Sequence, residues 1–185
     1  MCGIVSIASN ENCIPDIISG LKSLEYRGYD SSGIAIIKNN KLEYKKSVGK
    51  INNLEAKIKN NNLSSVTAIG HTRWATHGRP SMINAHPFVK KSCALVHNGI
   101  IENYEDIIKH FDLSLKNIKS DTDTEIIAEA YDLLLKKTNS PLNSLNKLIS
   151  KIKGSFAFSF LIKNNNSIYA ARRGSPLVIG LSKNL

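Results

Sequence analysis

Apolar and polar positions change period several times along the chain, and each change marks an element. Residues 3–8 form a short apolar run that reads as a buried strand almost at the terminus. Apolar residues then recur at Ile14, Ile17, Ile18, Leu21 and Leu24, the spacing of an amphipathic helix that ends before Arg27-Gly28. Strands follow. Residues 33–37 and 42–47 read as a hairpin split by the turn Asn39-Asn40, residues 54–58 as a weak helical segment, and residues 65–72 as a further strand. A long loop, 73–89, holds one glycine, two prolines and two histidines, and loops of that length are usually functional. Residues 93–97 read as a buried strand ending at Asn98-Gly99, and 102–111 as a helix. Thr122 and Glu125 then have the spacing of a capping box ahead of a helical face of Ile126, Ile127, Ala130, Leu133 and Leu134. A helix from Pro141 to about Ile152 and two strands, 155–162 and 167–171, joined by an asparagine turn, complete the pattern.

Strands thus come in blocks toward both ends with helices grouped between them. That order predicts an α+β fold of mainly antiparallel sheets covered by helices rather than alternating βαβ units. The segment Arg27-Gly28-Tyr29-Asp30-Ser31-Ser32-Gly33 has its glycines at the wrong spacing for a dinucleotide fingerprint or a phosphate loop.

With 185 residues and 42% hydrophobic positions, the chain has the apolar content of one folded domain and too much for a disordered one. Its longest apolar runs fall well short of the roughly 18 residues of a membrane-spanning helix. The start Met1-Cys2-Gly3-Ile4-Val5 has neither a basic leader nor a glycine at the second position, so neither a secretory signal nor a myristoylation site is expected. Cys2, Cys13 and Cys93 form no CxxC pair, which fits a reducing, cytoplasmic setting. The balance of 25 basic against 15 acidic residues gives +10 and raises nucleic acid as a partner. However, the lysines are scattered among asparagines rather than gathered into a stripe interleaved with aromatics, so a solvated basic surface is the expectation.

Cys2 carries the most chemical information. Removal of the initiator methionine would place its thiol beside a free α-amine, whose unperturbed pKa of about 7.7 to 8.0 suits it to act as base for its own nucleophile. The alternative is a small apolar residue entering a strand. Asn98-Gly99 offers an amide donor beside an unhindered backbone N–H, the equipment of an oxyanion hole, yet Asn-Gly is also a common hairpin turn. Arg73 has the chemistry to clamp a carboxylate or to sit on the surface. Asp123 begins a helix, where the dipole alone favours an aspartate. His71, His77, His86 and His97 lack the i, i+4 pairing or cysteine companions of a zinc site, so neither a metal nor any other cofactor is expected.

Taken together, the blocks Met1-Cys2-Gly3-Ile4-Val5, Tyr26-Arg27-Gly28-Tyr29-Asp30-Ser31-Ser32-Gly33, His71-Thr72-Arg73-Trp74-Ala75-Thr76-His77-Gly78 and Asn84-Ala85-His86-Pro87 match one family in order and spacing. So do His97-Asn98-Gly99-Ile100-Ile101-Glu102-Asn103, Thr122-Asp123-Thr124-Glu125 and Gly174-Ser175-Pro176-Leu177-Val178-Ile179-Gly180. The chain resembles the glutaminase domain of the glutamine:fructose-6-phosphate aminotransferases (isomerizing), the class II amidotransferases of amino-sugar synthesis.

The resemblance implies an N-terminal nucleophile fold, a four-layer αββα sandwich. It implies that Cys2 is the nucleophile, that Asn98 and Gly99 supply the oxyanion hole, and that Arg73 and Asp123 bind the α-carboxylate and α-ammonium of glutamine. Thr76 and His77 match positions lining the glutamine site, Trp74 a mobile gate, and Arg27 a residue supporting the cysteine terminus. Family members continue past the block at 174–180 into further strands and two sugar-phosphate isomerase domains, and they form homodimers. A chain ending at Leu185 is therefore expected to lack isomerase domains, to meet fructose-6-phosphate only through them, and to leave an apolar strand edge around residues 169–179 unpaired. A catalytically silent binding or dimerisation domain of the same fold is the competing reading.

Overall fold

A computed structural model describes residues 2–75 and 78–182. The chain order is β1 (Gly3–Ala8), α1 (Ile14–Ser23), β2 (Ser31–Lys38), β3 (Lys41–Val48), α2 (Ile51–Asn60), β4 (Thr67–Arg73), β5 (Phe88–Val89) and β6 (Cys93–Ile101). It continues with α3 (Tyr104–Phe111), α4 (Asp123–Thr138), α5 (Pro141–Ile149), β7 (Gly154–Ile162) and β8 (Asn165–Arg173). Two four-stranded sheets result, β1-β4-β2-β3 and β5-β6-β7-β8, and every strand pair is antiparallel.

Period-two alternation assembles the layers. On β2, Ile34 and Ile36 pack with Ile17, Leu21 and Leu54 of α1 and α2. Their neighbours Ala35 and Ile37 face the other way and meet Ala94, Val96 and Leu161 of the second sheet. On β6 and β7, Cys93, Leu95, Phe156, Phe158 and Phe160 pack outward against α3, α4 and α5. Strands buried on both faces need apolar side chains at successive positions, which is why residues 33–37 read as an unbroken run. The four layers are helices, sheet, sheet, helices, the expected αββα sandwich.

Asparagine sets several of the turns. Among the described residues, the non-glycine positions with positive φ are Asn39, Asn40, Asn62, Asp112, Asn139 and Asn164. Asparagine tolerates the left-handed region better than most residues, and two consecutive positive-φ residues make the hairpin turn that matches strand twist. Five asparagines therefore have a conformational task.

Two local expectations are corrected. Thr122 is the N-cap of α4 but makes no side-chain capping bond, and the capping box does not form. Glu125 is buried beside Lys90 instead: its Oε2 accepts from the N–H groups of Lys119 (2.8 Å) and Ser120 (2.6 Å), and its Oε1 from Lys90 Nζ at 3.0 Å. An ion pair and two N–H donors outcompete the reciprocal cap. The strand expected to end at Asn98-Gly99 runs on to Ile101, because Asn98 and Gly99 pair with Ala157 and Phe156 of β7. The asparagine-glycine pair is strand interior, not a hairpin turn.

At the far end, β8 pairs only with β7 and forms the edge of its sheet. The stretch after it has no regular structure through residue 182, and Val178 is 90% exposed.

Strand β2 also passes very close to the loop before β5. A Cβ added at Gly33 would lie 2.1 Å from the His86 carbonyl oxygen, a backbone atom that cannot swing aside. Overpacking of this kind costs about 1 to 3 kcal/mol, so Gly33→Ala is expected to lower the thermal midpoint by about 2 to 12 °C. Calorimetry of the two chains checks this, and an unchanged midpoint would refute the close approach.

Candidate active site

Strand register brings the first pieces of the site together. Gly3 pairs with Thr72 and Ser31 with Arg73, so the residues just outside those pairs, Cys2 and Asp30, flank the end of β4. Gly28 lets the preceding turn close on it: a Cβ there would lie 2.5 Å from the Arg73 carbonyl carbon. Asp30 then organises the chain leaving β4. Its Oδ2 accepts from the Ala75 N–H, its backbone N–H donates to the Arg73 carbonyl at 3.2 Å, and its Oδ1 lies 3.9 Å from Arg73 Nη1.

Arg73 is only 4% exposed, and its Nη2 donates to the Gly78 carbonyl at 3.3 Å. A buried guanidinium is tolerated only when paired and hydrogen-bonded; Asp30 contributes an ion pair and the Gly78 carbonyl a hydrogen bond. Nothing in the residue spacing singled out Asp30. The available signal was its place in the Tyr26-Arg27-Gly28-Tyr29-Asp30-Ser31-Ser32-Gly33 block that carries part of the family resemblance.

The second sheet supplies the facing wall. Asn98 reaches across from β6 and its Oδ1 accepts from the Cys2 backbone N–H at 3.4 Å. Its Nδ2 group, on the cleft, makes no hydrogen bond to another described residue. Gly99 has φ of +143°, and a Cβ there would lie 2.0 Å from the Ser155 carbonyl oxygen; no other residue fits without moving β7. Asp123 opens α4, where its Oδ2 accepts from the Ile101 N–H at 2.8 Å.

Cys2, Arg73, Asn98, Gly99 and Asp123 all line one cleft of about 570 Å³. Arg27 and Trp74 stand on the same cleft. Arg27 Nε donates to the Tyr26 hydroxyl at 3.3 Å. Trp74 is 46% exposed, meets Tyr29 edge-on with ring centroids 5.4 Å apart, and accepts the Cys2 thiol on its carbonyl at 3.8 Å. Thr76 and His77 lie outside the described residues. Among the described residues no group of histidines, cysteines and carboxylates is arranged to hold a metal ion, and no helix is long and apolar enough to cross a membrane.

Burial raises the Cys2 thiol above its ordinary value, opposed by the Trp74 backbone and the Arg73 charge. A thiol in that condition needs a nearby base to become a nucleophile. The other two cysteines are buried; burial pushes Cys13 up to about 11 and Cys93 well above the ordinary range.

Comparison with known proteins agrees with this geometry. The sequence pattern described as the glutamine amidotransferase domain matches residues 71–184. The chain belongs to the glutamine amidotransferase family. This domain is 46% identical over 185 residues to glutamine--fructose-6-phosphate aminotransferase [isomerizing] of Streptococcus agalactiae, a match covering 98% of the chain and 30% of that protein. It is 44% identical over 185 residues to the protein of the same name from Helicobacter pylori, covering 99% and 31%. The amidotransferase domain thus spans about 30% of the length of the curated relatives it matches.

Among solved structures, glutamine phosphoribosylpyrophosphate amidotransferase from B. subtilis superposes with a TM-score of 0.73 at 25% identity, over 88% of this chain and 35% of that one. A glutamine aminotransferase class-II domain protein from Silicibacter pomeroyi shares the fold, with a TM-score of 0.64 at 16% identity over 96% and 79%. The sandwich is therefore that of the N-terminal nucleophile amidotransferases.

Three histidines, His71, His86 and His97, are buried at the cleft, His86 and His97 lining it, and their proton affinity bears on stability. Burial drives His71 down to about 3 and holds His86 and His97 below the usual imidazole range. In the unfolded chain all three titrate near 6.5, so between about pH 6.5 and 3 the unfolded state binds more protons than the folded one. Stability is therefore complete above pH 6.5 and is lost as pH falls. The thermal midpoint is expected to drop by more than about 5 °C between pH 7.5 and 5; a flat profile over that range would contradict three buried neutral imidazoles.

Proposed function

We propose that this domain hydrolyses the side-chain amide of glutamine through a thioester at Cys2. The observation that carries the reading is the single cleft that joins a thiol, an oxyanion pair and two opposite charges. A free α-amino acid is a zwitterion. Arg73 and Asp123 would hold its carboxylate and ammonium, leaving the carboxamide to extend toward Cys2, and fixing both ends orients the reacting carbon.

The steps follow from the groups present. After loss of Met1, the α-amine of Cys2 accepts the thiol proton, and the thiolate attacks the amide carbon. The oxygen gains negative charge, met by Asn98 Nδ2 and the Gly99 backbone N–H. Asn98 is preset for this, because the Cys2 nitrogen already occupies its Oδ1 and turns its donor end to the cleft. The C–N bond then breaks as the Cys2 ammonium returns its proton to the departing ammonia. Water, deprotonated by the same amine, attacks the thioester and releases glutamate and the thiol.

The curated relatives support a destination for the ammonia. We infer that in a longer protein with sugar-phosphate isomerase domains it is transferred to fructose-6-phosphate to give glucosamine-6-phosphate, and that such a protein is a homodimer. A nucleophilic thiol that must stay reduced suits the cytoplasm. Trp74 would gate the substrate, Thr76 and His77 would line its site, and Arg27 would support the cysteine terminus.

Intact mass should lack Met1, and a glutamine-mimicking diazoketone should add once, at Cys2, sparing Cys13 and Cys93; labelling at Cys93 would sink the assignment. Cys2→Ala should abolish glutamate release. Charged hydrogen bonds contribute about 1.5 to 3 kcal/mol, so Arg73→Ala or Asp123→Ala should lower kcat/KM by about 10- to 150-fold, chiefly through KM. Asn98→Ala should instead lower kcat by about 100- to 1,000-fold. Equal effects of all three on kcat and KM would show the roles to be misassigned.

A further inference from the structure

Along the inner wall of the cleft, which His86, His97 and Thr124 line, the interior of the sandwich is polar where hydrocarbon would be expected. His71 on β4, His86 ahead of β5, His97 on β6 and Thr124 on α4 are all buried. His71 Nε2 lies 3.0 Å from the His97 carbonyl oxygen, and the His71 and His86 rings stack with centroids 4.0 Å apart. Thr124 Oγ1 lies 3.1 Å from His86 Nε2, 2.9 Å from His97 Nδ1 and 3.3 Å from Asp123 Oδ1.

The proton positions follow by elimination. A carbonyl oxygen only accepts, so His71 carries its proton on Nε2. A carboxylate also only accepts, so Thr124 gives its one hydroxyl proton to Asp123. A hydroxyl then has two lone pairs left and no donor, so both imidazoles must donate to it: His86 from Nε2 and His97 from Nδ1. The remaining ring nitrogens, His71 Nδ1, His86 Nδ1 and His97 Nε2, are buried with no hydrogen-bond partner among the described residues. In these tautomers each is a lone pair; a second proton on any ring would create a buried donor with nothing to accept it. The three rings are thereby held neutral, with His86 and His97 donating to Thr124 and His71 to the His97 carbonyl.

We propose that Thr124, oriented by His86 and His97, is the positioning residue that aims the Asp123 carboxylate at the substrate ammonium and ties it to the Asn98-Gly99 segment. The proposal rests on the reading of Asp123 as the ammonium site. Each Asp123 oxygen has one internal donor, Ile101 N–H on Oδ2 and Thr124 O–H on Oδ1, which fixes the plane of the carboxylate while leaving lone pairs for a cation. His97 holds Thr124 through its ring and is the residue before Asn98. The spacing between the ammonium site and the oxyanion donors, which must match one amino acid's length, is therefore set by a single hydrogen-bonded chain crossing from β4 to α4.

Thr124→Val keeps the side chain's shape and deletes the hydroxyl; Thr124→Ser keeps the hydroxyl. In the 185-residue chain, long-range proton–nitrogen NMR of the imidazoles at pH 7.5 should show His97 protonated on Nδ1 and His71 and His86 on Nε2. Thr124→Val should move the His86 and His97 signals and leave His71 nearly still. Finding His97 protonated on Nε2 would overturn the proposal without any activity measurement, and that arm stands even if the valine variant fails to fold.

Titration with glutamine should show binding weakened about tenfold in Thr124→Val and within about twofold of wild type in Thr124→Ser, with KM rather than kcat carrying the change in glutamate release. Asp123→Ala separates the two levels of inference. If Asp123→Ala binds glutamine as wild type does, or wild type does not bind it, the functional reading fails and the positioning role with it. If Asp123→Ala weakens binding and Thr124→Val does not, only the positioning role fails. Equal losses in Thr124→Ser and Thr124→Val would also refute it.

Discussion

Strand β4 is hydrogen-bonded to β1 on one side and β2 on the other, and that ladder places Cys2 and Asp30 on either side of Arg73. The guanidinium is buried, and the Asp30 carboxylate 3.9 Å away is a countercharge beside it. Remove this arrangement and the Cys2 thiol has no fixed relation to the cation beside it. A slip of one residue in either pairing would turn alternate side chains to the opposite face, so the apolar faces that exclude such a slip are what protect the site.

The second sheet answers the first across the sandwich. Ser6 Oγ donates to Ser159 Oγ at 2.8 Å, and Asn98 accepts from the Cys2 nitrogen; polar contacts such as these add direction to an apolar interface that by itself has little. Gly99 shows the same economy in backbone terms. Its positive φ and its contact with β7 allow the strand to continue past the site, so the backbone N–H there is held by sheet structure rather than by a mobile turn. Rigid placement of that kind is what electrostatic stabilisation of a transient oxyanion requires.

Between the sheets and α4, the histidines exchange some hydrophobic stabilisation for orientation. Buried polar networks are worth keeping only when their members are satisfied. Here the hydroxyl of Thr124 is saturated, and the nitrogens left over are lone pairs. The periodic reading of the chain had placed these histidines as weak metal candidates, because spacing along a sequence reveals helical pairs and not residues brought together from β4, a loop, β6 and α4.

Strand and helix order, the Asn39-Asn40 turn and the helical faces of α1 and α4 were legible in the sequence, because each depends on residues within about one turn or one hairpin of one another. The seven matched blocks made the family and the residues of the cleft legible too. Three things were decided only by tertiary structure. Asn98-Gly99 became strand interior because β7 pairs with it. Glu125 left its capping role because Lys90 lay within reach. Asp30 and Thr124 acquired partners 43 to 45 and 27 to 38 positions away in the chain, as the bonds from Asp30 to Arg73 and Ala75 and from Thr124 to His97 and His86 require. Local propensity acts over a few residues, whereas a buried charge or hydroxyl takes whatever partner the packed layers bring within 3 Å, and that choice exists only once the two sheets have closed.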